Sequence, residues 1–305
     1  MDVSVVISVY SIERASDVAK CIDSVKKQTF PPREIIVVVD PNEKLVNFYK
    51  QHLSSDVKLV VSEGYGLSNA RNTGVKNATS EIIAFIDDDA IADGDWLKCL
   101  LRNFNDSSVV GVGGKIIPLW DREKPDWFPE ELYWIVGCSY KGLPLQRAII
   151  RNPIGCNMAF RRNLFEEVGY FSTSIGRVGN QLLSHDDTEF SIRVYSEVPN
   201  AKIVYDPMAV VYHHVAPNRI SVQYVLKRSY AEGFSKALVF GSFRNINSVL
   251  GAESRYLYQL VLSPFSWLLQ INFRSFFSRA LLLWASTIVV LIAFFIGLKI
   301  NGVKK

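Results

Sequence analysis

Cysteine is scarce in this chain of 305 residues, which contains four of them, Cys21, Cys99, Cys138 and Cys156. They are widely spaced, and the spacing matches neither a CxxC redox pair nor a zinc-binding motif. The sequence therefore predicts no redox centre and no cysteine-based metal site. We expect all four thiols to be reduced and to lie in or near the core.

The first residues lack the basic stretch and apolar run of a signal peptide. A β-branched run, Val3–Tyr10, begins almost at once instead. This start predicts that the folded part of the chain stays in the cytoplasm.

Acidic side chains are nearly absent from the end of the chain. Residues 215–305 hold 11 lysines or arginines and 2 glutamates, whereas the 214 residues before them hold 23 basic and 28 acidic side chains. A basic tail can indicate nucleic acid, but this tail also carries a long apolar segment. We therefore expect an anionic membrane surface or a lipid phosphate as its partner, and no nucleic acid.

Charge is missing altogether from Ala280–Leu298, a segment of 19 mostly apolar residues. At a rise of ~1.5 Å per residue, such a helix crosses the ~30 Å core of a bilayer. The segment therefore predicts a transmembrane helix, and a buried core helix is the alternative. A second apolar stretch, Tyr256–Ile271, is short for a span, so residues 241–279 are expected at the membrane interface, with Trp267 and Arg274 as anchors.

Short β-branched runs alternate with helical stretches in the first 118 residues, as a parallel sheet built from βαβ units requires. The predicted strands are Val3–Tyr10, Glu34–Asp40, Lys58–Ser62, Glu81–Asp87 and Val109–Pro118. The predicted helices lie at about residues 43–53, 67–77, 93–103, 185–196 and 221–239, and Gly155–Arg161 is a later predicted strand. The pattern indicates an α/β, Rossmann-like nucleotide-binding sheet, in which ligands collect beyond the carboxyl ends of the strands.

Three consecutive aspartates, Asp87, Asp88 and Asp89, follow the apolar run Ile82–Ile86. Carboxylates this close repel each other unless a cation neutralises them, and a hard divalent ion with oxygen ligands is the natural partner. Alternate residues of a strand point to the same side, so Asp87 and Asp89 form the useful pair. A solvated acidic turn is the alternative interpretation.

Two further features suit a nucleotide. Asp40 ends another predicted strand, where an acid can accept hydrogen bonds from a base or a ribose, although an aspartate before a proline is also an ordinary turn opener. The glycines Gly64 and Gly66 lead into a helix whose first turns carry Arg71, an arrangement that suits a diphosphate.

A later pair of acids, Asp186 and Asp187, opens a predicted helix. The N-terminus of a helix favours negative charge, so an N-cap is the plain interpretation of this pair. The functional interpretation makes Asp187 a general base that takes a proton from an acceptor hydroxyl.

In combination, these stretches resemble glycosyltransferase family 2 over roughly residues 2–235. The matching segments are Val3–Tyr10, Asp40, Gly66–Gly74, Ile86–Asp89, Gly155–Arg162 and Asp186–Glu189. The resemblance implies the GT-A fold, with a nucleotide-sugar-binding half at residues 1–118 and an acceptor-binding and catalytic-base half at residues 119–240.

The resemblance also implies roles for single residues. Those expected to bind the nucleotide sugar are Ser8, Tyr10, Asp40, Arg71, Asp87 and Asp88. Those expected to hold a divalent ion, Mg²⁺ or Mn²⁺, are Asp87, Asp89 and His213. Asp187 is expected to be the inverting base, with Asn157 and Asp186 on the acceptor side. For His213, an ordinary surface or core histidine is the alternative.

The segments Tyr10–Arg14 and Val39–Asn42 look most like archaeal enzymes that extend sugars on dolichyl phosphate for N-glycosylation. This likeness implies metal-dependent, inverting transfer of one sugar from a nucleotide-diphosphate sugar, with a UDP-sugar favoured, to a lipid-linked acceptor. The single predicted span and the absence of a signal peptide predict a single-pass protein of the cell membrane whose catalytic domain lies on the cytoplasmic side.

Other functions fit parts of the pattern. A polyprenyl-phosphate monosaccharide synthase or a cell-surface polysaccharide glycosyltransferase would use the same motifs. A polymerising synthase normally has a Gln-x-x-Arg-Trp motif, and near Gln223 the chain has no such tryptophan. A sugar nucleotidyltransferase needs a glycine-rich loop after its first strand, but residues 8–14 contain no glycine. Intact Asp87, Asp89 and Asp187 argue against a non-catalytic sugar-binding membrane protein.

Overall fold

The computed structural model describes residues 1–176, 182–243, 263 and 273–300. Its strands are β1 (Val3–Val9), β2 (Glu34–Val39), β3 (Lys58–Val61), β4 (Ile82–Asp87), β5 (Ala90–Ala92), β6 (Val109–Trp120), β7 (Ala148–Ile149), β8 (Asn157–Arg161) and β9 (Lys202–Val215). Its helices are α1 (Ala15–Lys26), α2 (Glu43–His52), α3 (Leu67–Asn77), α4 (Trp96–Leu101), α5 (Leu164–Glu167), α6 (Asp186–Glu197), α7 (Val222–Ser242) and α8 (Phe273–Ile300).

The described strands form one mixed sheet in the order β3-β2-β1-β4-β8-β6-β9-β5, with β7 paired to β9. The first four strands of this order are parallel, whereas β8 pairs antiparallel with both β4 and β6. The predicted α/β class is confirmed. Strand β6 runs in the same direction as β4, as predicted for Val109–Pro118, but the antiparallel strand β8 lies between them, so β6 does not pair with a parallel strand. A buried apolar run reveals a strand but not the direction of its neighbour.

The chain forms two compact units that are interleaved in sequence. The first contains Met1–Ile117, Pro144–Gln181 and Asp186–His213, and the second contains Pro118–Leu143, Leu182–His185 and His214–Lys305. Every residue of the candidate site described below belongs to the first unit.

Five phenylalanines pack together in the core of the first unit. Phe85, Phe160, Phe165, Phe171 and Phe190 are each at most 2% exposed. The ring of Phe190, on α6, stacks on Phe165 at 4.9 Å and meets the edge of Phe160 at 5.1 Å. Such aromatic pairs add stability beyond the area that they bury. This packing fixes α6, whose first residues are Asp186 and Asp187, against the sheet.

In the second unit, α7 and α8 pack side by side through small residues. The hydroxyls of Ser229 and Ser286 share a hydrogen bond of 2.7 Å, and Gly233 and Gly297 lie against the partner helix. Glycines at such contacts let helix backbones approach closely. Contacts advance along both helices in the same direction, so the two run parallel.

The segment Phe276–Ile300 of α8 is the one described helix that is long and apolar enough to cross a membrane, and 28% of its most apolar stretch is buried. It contains the predicted span Ala280–Leu298. The predicted interfacial stretch Tyr256–Ile271, with Trp267, lies outside the described residues apart from Ser263, as does the side chain of Arg274.

Candidate active site

The carboxyl ends of β1 and β4 lie side by side, because the two strands pair in parallel with Ser8 opposite Asp87. Asp87 ends β4, and Asp88 and Asp89 form the turn into β5. The side chain of Asp87 is 31% exposed, whereas Asp88 and Asp89 are buried. The triplet therefore presents one carboxylate outward and two inward.

Arg14 contacts both inward carboxylates and offsets part of their charge. Its Nη1 donates to Oδ1 of Asp88 at 2.5 Å and lies 3.0 Å from Oδ2 of Asp89, and its guanidinium lies over the ring of Tyr10. Burial and the neighbouring Asp89 nevertheless raise the pKa of Asp88 to about 7, against the lowering effect of Arg14. Sequence reasoning missed Arg14. Two facts could have indicated it. Clustered acids need a nearby cation, and Arg14 is the first basic residue after β1, the strand beside β4.

Asp87 lies close to two buried side chains, those of Cys156 and His213. One possible ligand atom from each of the three residues lies within 4.8 Å of those of the other two. Strand pairing explains the group, because β8 places Cys156 beside the end of β4 and β9 places His213 opposite Ala90. A carboxylate, an imidazole and a thiol form a donor set that fits a divalent transition-metal ion.

The three predicted metal residues therefore do not form one group with each other. Asp87 and His213 belong to the three-residue group, while Asp89 lies on its buried side, with Oδ1 3.2 Å from Nε2 of His213. All four cysteines lie in the described part of the chain and none forms a disulfide. The sequence did not point to Cys156 as a member of this group, because sheet pairing, not sequence spacing, brings it to Asp87.

Arg71 connects this group to the later acid pair. Its Nη1 donates to Oδ2 of Asp186 at 2.7 Å, and its Nη2 lies 3.6 Å from Oδ1 of Asp87. Both Arg71 and Asp186 are buried, and Ser68 donates to the same Asp186 oxygen at 3.4 Å. The guanidinium predicted to lie near phosphates is thus held between two carboxylates.

Asp187 occupies the first turn of α6 and is partly exposed. Its Oδ2 accepts the backbone N–H of Gly155 at 2.9 Å, and its Oδ1 accepts the backbone N–H of Thr188 at 2.6 Å. A side chain at position 155 would force the guanidinium of the buried Arg71 to shift away from its two carboxylates. The residue whose N–H holds the Asp187 carboxylate, Gly155, is therefore next to Cys156 in the chain and two residues before Asn157.

The remaining predicted residues lie at strand ends or in the sheet. Asp40 follows β2 and accepts the N–H of Gly66 at 3.3 Å, and burial raises its pKa. Tyr10 is 50% exposed just after β1.

Asn157 was expected on the acceptor side, but it is completely buried. It accepts from Nε1 of Trp96 at 2.8 Å and donates to the carbonyls of Lys115 and Ala209. These contacts indicate that Asn157 joins neighbouring strands of the sheet.

Comparison with known proteins places these residues in context. The family model of glycosyl transferase family 2 matches residues 4–169. A glucosyl-dolichyl phosphate glucuronosyltransferase of Haloferax volcanii is 34% identical over 243 residues, which cover 78% of this chain and 77% of the relative. The succinoglycan biosynthesis protein ExoM of Rhizobium meliloti is 27% identical over 72% of this chain and 70% of that protein.

Among solved structures, the mannosyltransferase PcManGT of Pyrobaculum calidifontis, in complex with GDP-Man and Mn²⁺, is similar with a TM-score of 0.60. The match covers 95% of this chain and 86% of that one at 18% identity. This likeness concerns the fold, and it confirms the predicted GT-A architecture.

Proposed function

The chain belongs to glycosyl transferase family 2, and on that premise we propose that it transfers one sugar, with inversion, from a nucleotide-diphosphate sugar to an acceptor carried on dolichyl or another polyprenyl phosphate. The observation that carries the proposal is the convergence of two acid groups in one compact unit. Asp87 and His213 lie at one end of the candidate site, and Asp187 lies at its other end. Arg71, which contacts Asp87, and Gly155, which contacts Asp187, lie between these two groups.

The chemistry assigned to Asp187 is proton removal. Its carboxylate takes the proton of an acceptor hydroxyl while the hydroxyl oxygen bonds to the anomeric carbon of the donor sugar. The bond from that carbon to the donor phosphate breaks on the opposite side, so the nucleotide diphosphate leaves and the configuration inverts. Arg71 holds Asp186 in place, which fixes the start of α6 and hence the position of Asp187.

The residues at the end of β4 suit the donor. Asp87 and His213, with Asp89 beside them, would hold a divalent ion, Mg²⁺ or Mn²⁺, which when bound offsets the charge of the leaving diphosphate. The Mn²⁺ in the structure of PcManGT supports this assignment. Asp40 and Asp88, beyond the ends of β2 and β4, are proposed to contact the base and ribose, and Ser8 and Tyr10 line the same edge.

The name of the Haloferax relative supports a dolichyl phosphate-linked acceptor. The test is incubation of the full-length protein with UDP-glucuronic acid, UDP-glucose and GDP-mannose, each offered with dolichyl phosphate or glucosyl-dolichyl phosphate. Mass spectrometry of the lipid product is expected to show one added sugar from a UDP donor on the glycosylated lipid. Transfer to bare dolichyl phosphate alone would indicate a monosaccharide synthase instead. The absence of any sugar transfer across the whole panel would contradict the proposal.

We further propose that α8 anchors the enzyme in the cell membrane, with the catalytic unit on the cytoplasmic side. Ile288 and Ile292 are 56% and 52% exposed near the middle of α8. An arginine at the centre of a membrane helix costs ~2.5–3.5 kcal/mol on insertion. We therefore expect the variant with Ile288→Arg and Ile292→Arg to move from the membrane pellet to the soluble fraction.

The matched control carries Leu145→Arg and Ile149→Arg, which are 93% and 59% exposed in the first unit. This control is expected to stay with the membrane. A doubly substituted α8 that also stays in the pellet after a carbonate wash would show that another segment provides the anchor.

A further inference from the structure

Cys156 immediately precedes β8, whose first residue, Asn157, pairs with Ile86 of the antiparallel strand β4. Asp87 follows Ile86 at the end of β4, so Cys156 and Asp87 lie at the same end of this strand pair. The thiol and the carboxylate lie within 4.8 Å of each other and of a ring nitrogen of His213.

The surroundings of Cys156 differ from those of an ordinary core cysteine, which acts as a small hydrophobe. Cys156 is 3% exposed, yet its sulfur lies within 4.8 Å of a carboxylate oxygen of Asp87 and a ring nitrogen of His213, and both are common metal ligands. Asp87 is partly open to solvent, which gives an ion a route to the group. A sulfur, a nitrogen and an oxygen ligand together leave coordination positions for the phosphates of a donor.

We propose that Cys156 determines the metal specificity of this site by supplying a sulfur ligand beside Asp87 and His213. The inference rests on the proposed function, because the ion concerned is the one that serves the donor diphosphate. Mg²⁺ takes oxygen ligands and binds thiolate poorly, whereas softer divalent ions accept sulfur. As the metal–sulfur bond forms, the sulfur supplies the electron pair and the thiol proton passes to solvent. The site therefore prefers a softer ion such as Co²⁺ or Cd²⁺ over Mg²⁺.

The test uses the full-length protein in detergent with Cd²⁺ alone as the probe. Cd²⁺ bound to a thiolate absorbs ultraviolet light by charge transfer, and calorimetry gives the affinities for Cd²⁺ and Mg²⁺. Replacing a ligand typically costs tenfold or more, so Cys156→Ser is expected to abolish the absorption band and weaken Cd²⁺ binding by at least about tenfold while Mg²⁺ binding changes by less than about threefold.

Cys21→Ser is the matched control, because Sγ of Cys21 donates to the backbone oxygen of Asp87 at 3.5 Å and so lies beside the same residue. That variant is expected to keep the band. Cys156→Ala is made in parallel, since it leaves a small apolar side chain if serine disturbs the buried position. Circular dichroism identifies folded variants.

A band that persists in both Cys156 variants, or wild-type protein that binds Cd²⁺ without a band, overturns the sulfur ligand. Sugar transfer is measured on the same preparations. Transfer by a protein without a cadmium–sulfur band overturns the ligand and leaves the enzyme function standing. A band in a protein that transfers no sugar from any donor overturns the function and leaves the ligand standing.

Discussion

Replacing Asp187 with asparagine is expected to lower turnover by ~10²–10⁴-fold, because loss of a general base removes that much rate. The amide has no basic oxygen to receive the proton of the acceptor hydroxyl. Asparagine still caps a helix about as well as aspartate, so the contact with the N–H of Thr188 can persist. The asparagine amide has one oxygen, so one of the two backbone N–H groups that donate to Asp187, those of Gly155 and Thr188, loses its acceptor. That loss costs about 1–3 kcal/mol of stability.

The measurements are turnover with saturating donor and acceptor, and donor affinity by calorimetry, which is expected to stay near the wild-type value. Glu189→Gln provides the control, because Glu189 lies in the same turn of α6 but binds Arg193 at 2.6 Å. That variant is expected to keep near-normal turnover. An Asp187→Asn enzyme that turns over normally, or a product that retains the donor configuration, would overturn the assigned base.

The second large effect is expected from the metal group. Removing divalent ions with a chelator is expected to abolish transfer, and Mn²⁺ or Mg²⁺ is expected to restore it. Charge neutralisation of a leaving diphosphate by a metal is worth several kcal/mol, so Asp87→Asn is expected to lower the rate by on the order of a hundredfold or more. Added Mn²⁺ is expected to recover only part of that loss.

Asp95→Asn is the matched control for this variant. Asp95 lies shortly after β5, but its side chain is 50% exposed and contacts Thr29 and Lys98. It is expected to respond to chelator and to Mn²⁺ as the wild-type enzyme does. Full activity of the wild-type enzyme in excess chelator would contradict a metal-dependent transfer.

Local signals in the sequence were sufficient for most of the described helices and strands, although α5 and β9 were not predicted. The predicted helix at residues 67–77 has the same limits as α3, and α2 ends one residue before its predicted end. Apolar spacing and helix caps act over a few residues, so they can be read without knowledge of the fold. The aspartate triplet was visible for the same reason.

Contacts between distant segments were not visible in this way. Arg14 meets Asp88, and Cys156 meets Asp87, only because β1 and β8 flank β4 in the sheet. The neighbour order and the direction of strands depend on pairing across the whole domain, which no local pattern encodes. The insertion of the antiparallel strand β8 between β4 and β6, and the position of Cys156 beside Asp87, were therefore not predicted. The family and the GT-A fold were predicted correctly, and the roles of the site residues stay predictions.

Gly155 and Cys156 are neighbours in the chain, and this adjacency limits how the enzyme can change. The N–H of Gly155 holds Asp187, while the side chain of Cys156 lies beside Asp87 and His213. Consecutive Cα atoms are ~3.8 Å apart across a rigid peptide unit, so the N–H that holds Asp187 and the thiol beside Asp87 are expected to move together. In the proposed mechanism, a substitution that shifts the donor end to admit a different sugar is therefore expected to shift the base as well. We expect donor choice and acceptor activation to be linked in this way.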